Sequence, residues 1–561
     1  MRLPPALPAL TILALLGPVL AGLWGTLSAA LGHLPAAGLN GPSLIAFQAL
    51  WEWPGLASSV RLSLGTGVLA TVISLVVTML LLAGWSGTRA FRALLGVLSP
   101  LLSVPHAAAA FGLLFLIQPS GWIARLLSPW LTGWQRPPDL LLVQDPMGVA
   151  MVLGLVVKEV PFLLLISLAA LGQIDASRRL QVAQALGYGR VTAWIYSVFP
   201  ALYARIRLPV LVVLAYSMSV VDVAVILGPN TPPSLSVQIV RWMGDPDLTL
   251  RTVASAAAML QFGLVALAIA LWFGAEVLLA QTGLRCAYRG RRGSHDRMVR
   301  AVGFVSGGVI VGAVLLGLIG LSLWSVAARW SFPDVLPDGL SLRSWQRNGT
   351  AMLPSLATTF TIALAATAAG LLLTLGCLET EQRRQLTLTQ KGLWLLYLPL
   401  LVPQTAFLPG MQTLLLNLDV DRSLGAVVLA HLVFVLPYLR LALEGPYRTW
   451  DLRQAAVAAT MGASDNRIFL TLRLPMLLAP ILTACAVGMA VSVGQYLPTL
   501  LVGGGRVQTL TTEAVALAAG GDRRAIGAYA LAQTAAALLP FALALAVPML
   551  VWRNREGLHH A

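Results

Sequence analysis

The chain has 561 residues, of which 58% are hydrophobic and only 11% are charged. A soluble globular protein has about 25% charged residues, so this composition excludes an ordinary soluble domain and predicts a protein solvated mainly by lipid. The net charge of +15 could indicate a nucleic-acid partner, but it has to be read against the membrane topology. The three cysteines, at positions 286, 377 and 485, lie far apart, which favours neither a disulfide framework nor a metal site.

Twelve apolar stretches are long enough to cross about 30 Å of hydrocarbon, and they predict an all-α polytopic membrane protein with twelve transmembrane helices. In chain order they cover residues 9–31, 58–83, 94–117, 148–171, 208–228, 253–280, 301–326, 356–377, 392–416, 423–443, 477–501 and 525–551. The first stretch also fits a cleavable signal peptide. Its apolar part of about 20 residues is longer than a usual signal core, so we predict that this span is retained.

The arginines set the orientation of these spans. If the N-terminus is cytoplasmic, most of the arginines fall in loops on the cytoplasmic side, as the positive-inside rule requires. Both ends of the chain are then predicted to be cytoplasmic. This topology accounts for the excess of positive charge, so no nucleic-acid partner is needed.

The two halves of the chain are related by an internal repeat. A shift of 275 residues brings Gly187 onto Gly462 and Pro200 onto Pro475. We predict two homologous six-helix units in the same orientation, at 1–284 and 301–561, joined by a basic cytoplasmic linker at 285–300.

A long loop with its own helical pattern lies between the fourth and fifth spans of each unit, at about 172–207 and 444–476. Alanine-rich sequence leads to Gly187 or Gly462, where a glycine can adopt the left-handed conformation that ends a helix. An amphipathic segment then returns to the membrane, and we expect Asp465 to cap it in the second copy. The pattern predicts helix, glycine break, helix, with docking of a cytosolic partner. An interfacial loop without a partner is the alternative.

These loops resemble the E-A-A-x-x-x-G-x9-I-x-L-P signature of permeases from binding-protein-dependent ABC importers. The whole chain is similar to the fused, two-unit type I permeases of the branch that imports ferric iron, thiamine and similar solutes. The leading glutamate of the signature is replaced in both copies. By position, the signature falls on Gln181, Ala183, Gly187 and Pro200 in the first copy and on Ala456, Ala458, Gly462, Leu474 and Pro475 in the second.

The resemblance implies a permease subunit of an ATP-driven importer in a bacterial inner membrane. Its two loops would couple to two copies of a separate cytosolic ATPase, and a soluble solute-binding protein would deliver the solute. ATP would be used by the partner subunits, with no cofactor bound by this chain.

The sequence lacks the phosphate-binding loop with which many ATPases bind ATP. The only lysines are Lys158 and Lys391, and neither follows a glycine, so a G-x-x-x-x-G-K-[ST] phosphate-binding loop is excluded. We therefore predict a transport subunit that is not an enzyme. The alternative is a secondary transporter of the major-facilitator type, which also has two six-span halves. Against it, the loop at 84–92 lacks that family's acidic residue, and the longest cytoplasmic loops lie within the halves.

Polar side chains inside the spans are the remaining candidates for function, because charges cost at least about 2.5 kcal/mol each at the bilayer centre. Lys158 and Glu159 are expected to form a compensated pair or a polar seam in the fourth span. Two interpretations of the whole group stay open, namely lining of a solute path and hydrogen bonding between helices. The candidates for the path are Lys158, Glu159, Asp222, Gln495, Gln261 and Gln533.

Overall fold

A computed structural model describes residues 6–290, 296–386, 389–420 and 423–551. Part of the predicted linker, residues 291–295, lies outside the described residues, as do both ends of the chain. The described part is mainly helical. Apart from one isolated bridge, its strand content is a single two-residue hairpin, β1 (His33–Leu34) with β2 (Leu39–Asn40), just after the first helix.

The first unit contains thirteen helices among the described residues. They are α1 (Ala6–Ala30), α2 (Ile45–Glu52), α3 (Leu56–Trp85), α4 (Arg89–Leu101), α5 (His106–Ile117), α6 (Trp122–Leu127), α7 (Val149–Leu171), α8 (Ala176–Ala185), α9 (Arg190–Ser197), α10 (Phe199–Ser219), α11 (Asp222–Leu227), α12 (Leu235–Met243) and α13 (Leu250–Tyr288).

The second unit repeats this order, except that its second helix covers the places of both α2 and α3 and that no helix corresponds to α6 in its described part. Its helices are α14 (Asp296–Val326), α15 (Arg343–Arg383), α16 (Gln390–Leu401), α17 (Gln404–Asn417), α18 (Leu424–Thr449), α19 (Leu452–Thr460), α20 (Asp465–Ile468), α21 (Leu474–Met476), α22 (Leu478–Val493), α23 (Leu497–Gly503), α24 (Leu510–Ala518) and α25 (Arg523–Val551). A short π-helical segment, Phe469–Arg473, joins α20 to α21.

Ten helices in the described chain are long and apolar enough to cross a membrane, and two sharply bent helix pairs raise the number to twelve. The all-α polytopic prediction is therefore confirmed. Four of the predicted spans are not continuous helices, which corrects the sequence-based expectation. The third and ninth break before α5 and α17, and the fifth and eleventh break before α11 and α23. Pro105 and Pro403 are the cap residues at the breaks in the third and ninth spans, where a proline disfavours helical backbone in the residue before it. The α16 and α17 helices meet at a bend of 87°.

The first helix of each unit packs on the other unit. α1 lies against α17, and α14 lies against α3 and α5. Glycines allow both close approaches, since a Cβ on Gly25 would lie 2.8 Å from the Gly410 carbonyl oxygen and a Cβ on Gly317 would lie 2.9 Å from the carbonyl carbon of Gly112. Gly112 and Gly410 are equivalent in the repeat. The two units are therefore interlocked through equivalent contacts.

A pair of equivalent hydrogen bonds fixes the short helices that follow the fifth and eleventh spans. The Ser63 hydroxyl accepts from the Leu235 N–H in the first unit, and the Thr359 hydroxyl accepts from the Leu510 N–H in the second, both at 3.0 Å. These bonds tie α12 to α3 and α24 to α15. The repeat seen in the sequence is thus present in the polar contacts of the structure.

Candidate functional site

The helices α8 and α19 stand apart from the membrane bundle. None of their residues, all of which are described, is buried, whereas the spans before and after α8 are largely buried. The motif positions Gln181 and Ala456 are exposed on these helices, and Ala183 and Ala458 are partly exposed. Both helices therefore present most of their surface to a partner or to solvent.

Gly187 and Gly462 end these two helices in the same way. Their φ angles are +85° and +83°, in the left-handed region that favours glycine. The Gly187 N–H donates to the Gln184 carbonyl, and the next N–H, of Tyr188, donates to the Ala183 carbonyl. The second copy forms the same pair of bonds from Gly462 and from the residue after it. This is a Schellman cap in both copies, as the two glycines predicted.

The chain then returns to the bundle through α9 in the first copy and through α20, the π-helical segment and α21 in the second. Pro200 lies in the first turn of α10, while Leu474 and Pro475 begin α21. The expectation that Asp465 caps the second return was wrong. Ser464 is the cap, since its hydroxyl accepts from the Arg467 N–H and Asp465 is already helical.

Two exposed apolar side chains on each of these helices were missed from the sequence. Val182 and Leu186 are 57% and 63% exposed, and Val457 and Met461, which correspond to them in the repeat, are 60% and 82% exposed. Residues four apart share one face of a helix, so each copy presents an apolar pair on one side. The sequence signal that could have found them was an i, i+4 apolar pair retained in both copies.

A buried ionic network supports the second loop. The Glu379 carboxylate, on α15, accepts from Arg383 at 2.7 Å and also contacts the Arg473 guanidinium and the Tyr447 hydroxyl. Glu379 and Arg473 are 3% and 5% exposed. The Arg473 guanidinium also lies 4.5 Å from the centre of the Trp450 ring. The network therefore joins α15, the end of α18 and the returning segment around α19.

The first loop is supported by apolar packing and by backbone carbonyls. Trp194 and Val198 are buried, with Val198 fully enclosed. The Arg190 guanidinium donates to the Ala83 and Ser86 carbonyls at the end of α3, at 3.2 and 2.6 Å. Burial lowers the pKa of Arg190, and the neighbouring Arg300 guanidinium lowers it further. The two loops thus share a backbone design but differ in what holds them.

Polar groups converge between the two units in the spans. Glu159 is buried and lies 3.5 Å from the His106 imidazole, whose side chain is 35% exposed and therefore borders open space. The Tyr216 ring is 4.9 Å from that imidazole. Asp222 interacts electrostatically with His106. The carboxylates of Asp222 and Glu159 both interact electrostatically with the Tyr216 hydroxyl. Two tyrosines of the second unit complete this central polar cluster, namely Tyr438 and Tyr496.

Lys158 does not pair directly with Glu159. Its ammonium donates to the carbonyls of Leu101, Leu102 and Val104, at 3.4, 3.0 and 2.5 Å, where the break between α4 and α5 frees backbone acceptors. Adjacent residues on a helix project about 100° apart, so the two charges reach different partners. Among the described residues, no ion pair therefore joins Lys158 to Glu159, and the alternative of a polar seam stays a prediction.

The glutamine candidates divide between two places. The Gln261 amide donates to the Met218 carbonyl and accepts from the Thr405 hydroxyl, and Gln533 donates to the Thr511 hydroxyl. Both glutamines are buried and bond between helices. Gln495 lies at the break between α22 and α23, next to Tyr496 of the central polar cluster. Glu159 and Asp222 therefore belong to the central polar cluster and Gln495 adjoins it in sequence, whereas Lys158, Gln261 and Gln533 bond between segments.

Known proteins similar to this chain are transport permeases. No protein-family profile matches the chain. It is 34% identical over 522 residues to the inner membrane ABC transporter permease protein YnjC of Escherichia coli, covering 92% of this chain and 93% of that protein. It is 27% identical over 504 residues to the thiamine transport system permease protein ThiP of Salmonella typhimurium, covering 84% and 85%.

A 90-residue part, 16% of the chain, is 36% identical to the molybdenum transport system permease protein ModB of Mycobacterium tuberculosis, over 34% of that protein. These relatives do not favour the alternative of a major-facilitator transporter. Together with the helical repeat and the two glycine-capped loops, they lead to one conclusion. The chain belongs to the inner-membrane ABC transporter permeases of the importer class, as a member with two fused units.

Proposed function

We propose that α8 and α19 each dock on one copy of a cytosolic ATPase subunit and pass its movements to the membrane helices. The observation that carries the proposal is the matched apolar pair on two exposed helices, Val182 with Leu186 and Val457 with Met461. Exposed apolar side chains at equivalent places of a duplicated loop are typical of an interface with a partner that is itself present twice. The motif residues Gln181, Ala183, Ala456 and Ala458 flank this surface.

ATP hydrolysis belongs to the partner in this proposal, and the permease binds no cofactor of its own. The Lys158 ammonium is held by carbonyls inside a span, and Lys391 is the second residue of α16. The purified chain alone is therefore expected to hydrolyse no ATP. Turnover by the polypeptide after removal of every co-purified ATPase subunit would refute this division of work.

The wider assembly follows from the same proposal. Two units, 1–284 and 301–561, form one pathway, and the basic linker 285–300 and both chain ends lie in the cytoplasm. A solute-binding protein delivers solute to the opposite face. The interlocked first helices, α1 on α17 and α14 on α3, favour movement of the two units as a coupled pair.

For the solute path we propose the central polar cluster, with Glu159 and Asp222 as the charged groups that face the solute. Two carboxylates among three tyrosine rings favour a cation, because carboxylates attract positive charge and aromatic faces add cation–π attraction. The solute class proposed is a small organic or metal cation, in preference to an oxyanion. This preference rests on the absence of an ion pair between Glu159 and Lys158 among the described residues.

Uptake of labelled probes tests the solute class. Cells producing the complete transporter are expected to accumulate thiamine, an organic cation, or ferric iron above the background of cells that lack it. Glu159→Gln and Asp222→Asn are expected to lower that uptake at least about tenfold while the membrane level of the chain holds. Uptake of molybdate with no response to either cation would contradict the proposal.

Docking is tested by placing a charge on the apolar pair. Leu186→Asp and Met461→Asp would bury an unpaired carboxylate against the ATPase, and retention of the subunit during purification is expected to fall at least about tenfold. Gln184→Asp is the matched control, because residue 184 lies on the opposite face of α8 and is already polar. Equal losses from Leu186→Asp and Gln184→Asp, or no loss from either loop variant, would contradict the docking surface.

A further inference from the structure

We call the two predicted cytoplasmic loops that contain α8 and α19 the coupling loops. The second helix of each coupling loop begins at an equivalent position, but the two helices have different caps. Gly189 precedes α9 and Ser464 precedes α20, and a shift of 275 residues relates the two positions. Their backbones agree closely, with φ and ψ of −60° and 156° at Gly189 and −71° and 155° at Ser464. Ser464 caps its own helix by accepting from the Arg467 N–H. Gly189 has no side chain with which to do so.

The missing cap of α9 is supplied from the start of α14. The Asp296 carboxylate, in the first turn of α14, accepts from the Val191 N–H at 3.3 Å. Val191 is the second residue of α9, whose N–H is one of those that an N-cap side chain normally accepts from. A Cβ on Gly189 would lie 2.7 Å from the Asp296 carboxylate, so the glycine makes room for the incoming side chain.

Asp296 is held in place by the packing of α14 on α3. The Trp85 indole N–H donates to the Arg300 carbonyl at 2.8 Å, and the Arg300 guanidinium lies 5.0 Å from the centre of the Trp85 ring. Gly303 packs against the Leu80 backbone one turn further on. Asp296 therefore sits at the end of a helix fixed to the same α3 whose carbonyls hold Arg190.

We propose that Asp296 is a positioning residue that caps α9 from the start of α14 and so holds the loop that contains α8 in its docking orientation. This inference rests on the proposed docking role of α8. It assigns to the first turn of α14, which lies within the predicted linker 285–300, a function in coupling in addition to joining the two units. It also explains why the cap position is glycine in one copy and serine in the other.

The test is a set of substitutions in which one copy serves as the template for the other. Asp296→Ala removes the cap, and amide exchange at Val191 in the purified chain is expected to rise about fivefold, the typical effect of a lost N-cap. Retention of the ATPase subunit is expected to fall with it. Gly189→Ser alone is also expected to be harmful, because its Cβ meets the Asp296 carboxylate.

The double variant Gly189→Ser with Asp296→Ala gives α9 the cap that α20 already has. It is expected to restore both slow exchange and ATPase retention towards the wild-type values. Arg297→Ala, a neighbouring exposed change on α14, is the control and is expected to leave both unchanged. A double variant no better than Asp296→Ala would overturn the capping of α9 by Asp296. Wild-type exchange at Val191 in Asp296→Ala alone would also overturn it.

Failure of the docking proposal can be told apart from failure of this inference. If Asp296→Ala speeds exchange but leaves ATPase retention unchanged while Leu186→Asp abolishes retention, docking holds and the positioning role of Asp296 is wrong. If Leu186→Asp also leaves retention unchanged, the docking role of α8 fails, and the positioning role of Asp296 fails with it.

Discussion

The two coupling loops have nearly the same backbone conformation, but different side chains pack beneath them. In the second unit, Glu379 and Arg473 lie buried in an ionic network beneath α19. The corresponding positions in the first unit are Ala83 and Val198, both buried among apolar side chains. The equivalent hydrogen bonds to Ser63 and Thr359 set the register for α3 and α15. The loop geometry is therefore specified locally by the glycine caps, and the layer beneath it can be either apolar or ionic.

The difference between the supports has consequences for stability. A buried ion pair is no more stabilising than good apolar packing, but removal of one partner leaves an uncompensated charge. We therefore expect the second loop to be the more sensitive to a single substitution beneath it and the first loop to be the more sensitive to changes in α14, which contributes Asp296.

The largest expected effect is that of Glu379→Ala, which leaves Arg473 and Arg383 without their buried carboxylate. The loss of unfolding free energy is expected to be about 3–5 kcal/mol. Thermal unfolding in detergent measures this loss. Arg453→Ala is the control, because the ion pair between Arg453 and Asp451 is exposed. Glu379→Ala combined with Arg473→Val reproduces the residue pair of the first unit and should recover part of the stability. A double variant less stable than Glu379→Ala would contradict this account.

An intermediate effect is expected where the first helices pack on the other unit. A Cβ on Gly410 would overlap the Gly22 carbonyl oxygen, whereas a Cβ on Gly317 would lie 2.9 Å from Gly112. Gly410→Ala is therefore expected to destabilise by about 1–3 kcal/mol, and more than Gly317→Ala. Gly312→Ala, on α14 with open space around it, is the control and should be neutral or slightly stabilising. A lower melting temperature for Gly317→Ala than for Gly410→Ala would contradict the closer contact at Gly410.

The smallest expected effect is that of the helix-ending glycines. Gly462→Val forces a β-branched residue to a φ of +83° in open space, so the cost is backbone strain alone, about 1–2 kcal/mol. Gly187→Val is expected to act equally. Transport and ATPase retention should fall while the membrane level of the chain holds. Gly462→Asn should retain more of both, because asparagine tolerates the left-handed region. Wild-type retention and transport in Gly462→Val would remove the glycine break from the coupling account.

Much of this architecture could be predicted from the sequence. The length of the apolar stretches located the spans, and the repeated glycine-to-proline spacing located the loops. Both signals are local in the chain. The breaks before His106 and Gln404 were missed, since apolar sequence runs on through them. The proline in each break was visible, but whether it breaks an apolar run of this length depends on whether the freed carbonyls find other donors.

The partners of the intramembrane charges could not be predicted, because they come from distant segments. Lys158 is bound by carbonyls more than fifty residues earlier, and Glu159 meets His106 on α5. The Asp296 cap spans an even greater separation and joins α14 to α9. The exposed pair of Val182 and Leu186 was visible as a pattern, but only the structure shows that the whole of α8 is left uncovered.

The central claim, that α8 and α19 are the surfaces that receive the ATPase, is tested most directly by site-specific photo-crosslinking in the assembled transporter. A photoreactive amino acid at Leu186 or at Met461 is expected to form an adduct with the ATPase subunit. The same group at Trp130, which is 73% exposed and on the predicted outer side, is expected to form none. An ATPase subunit that co-purifies with the chain but is captured from neither loop position would contradict the account.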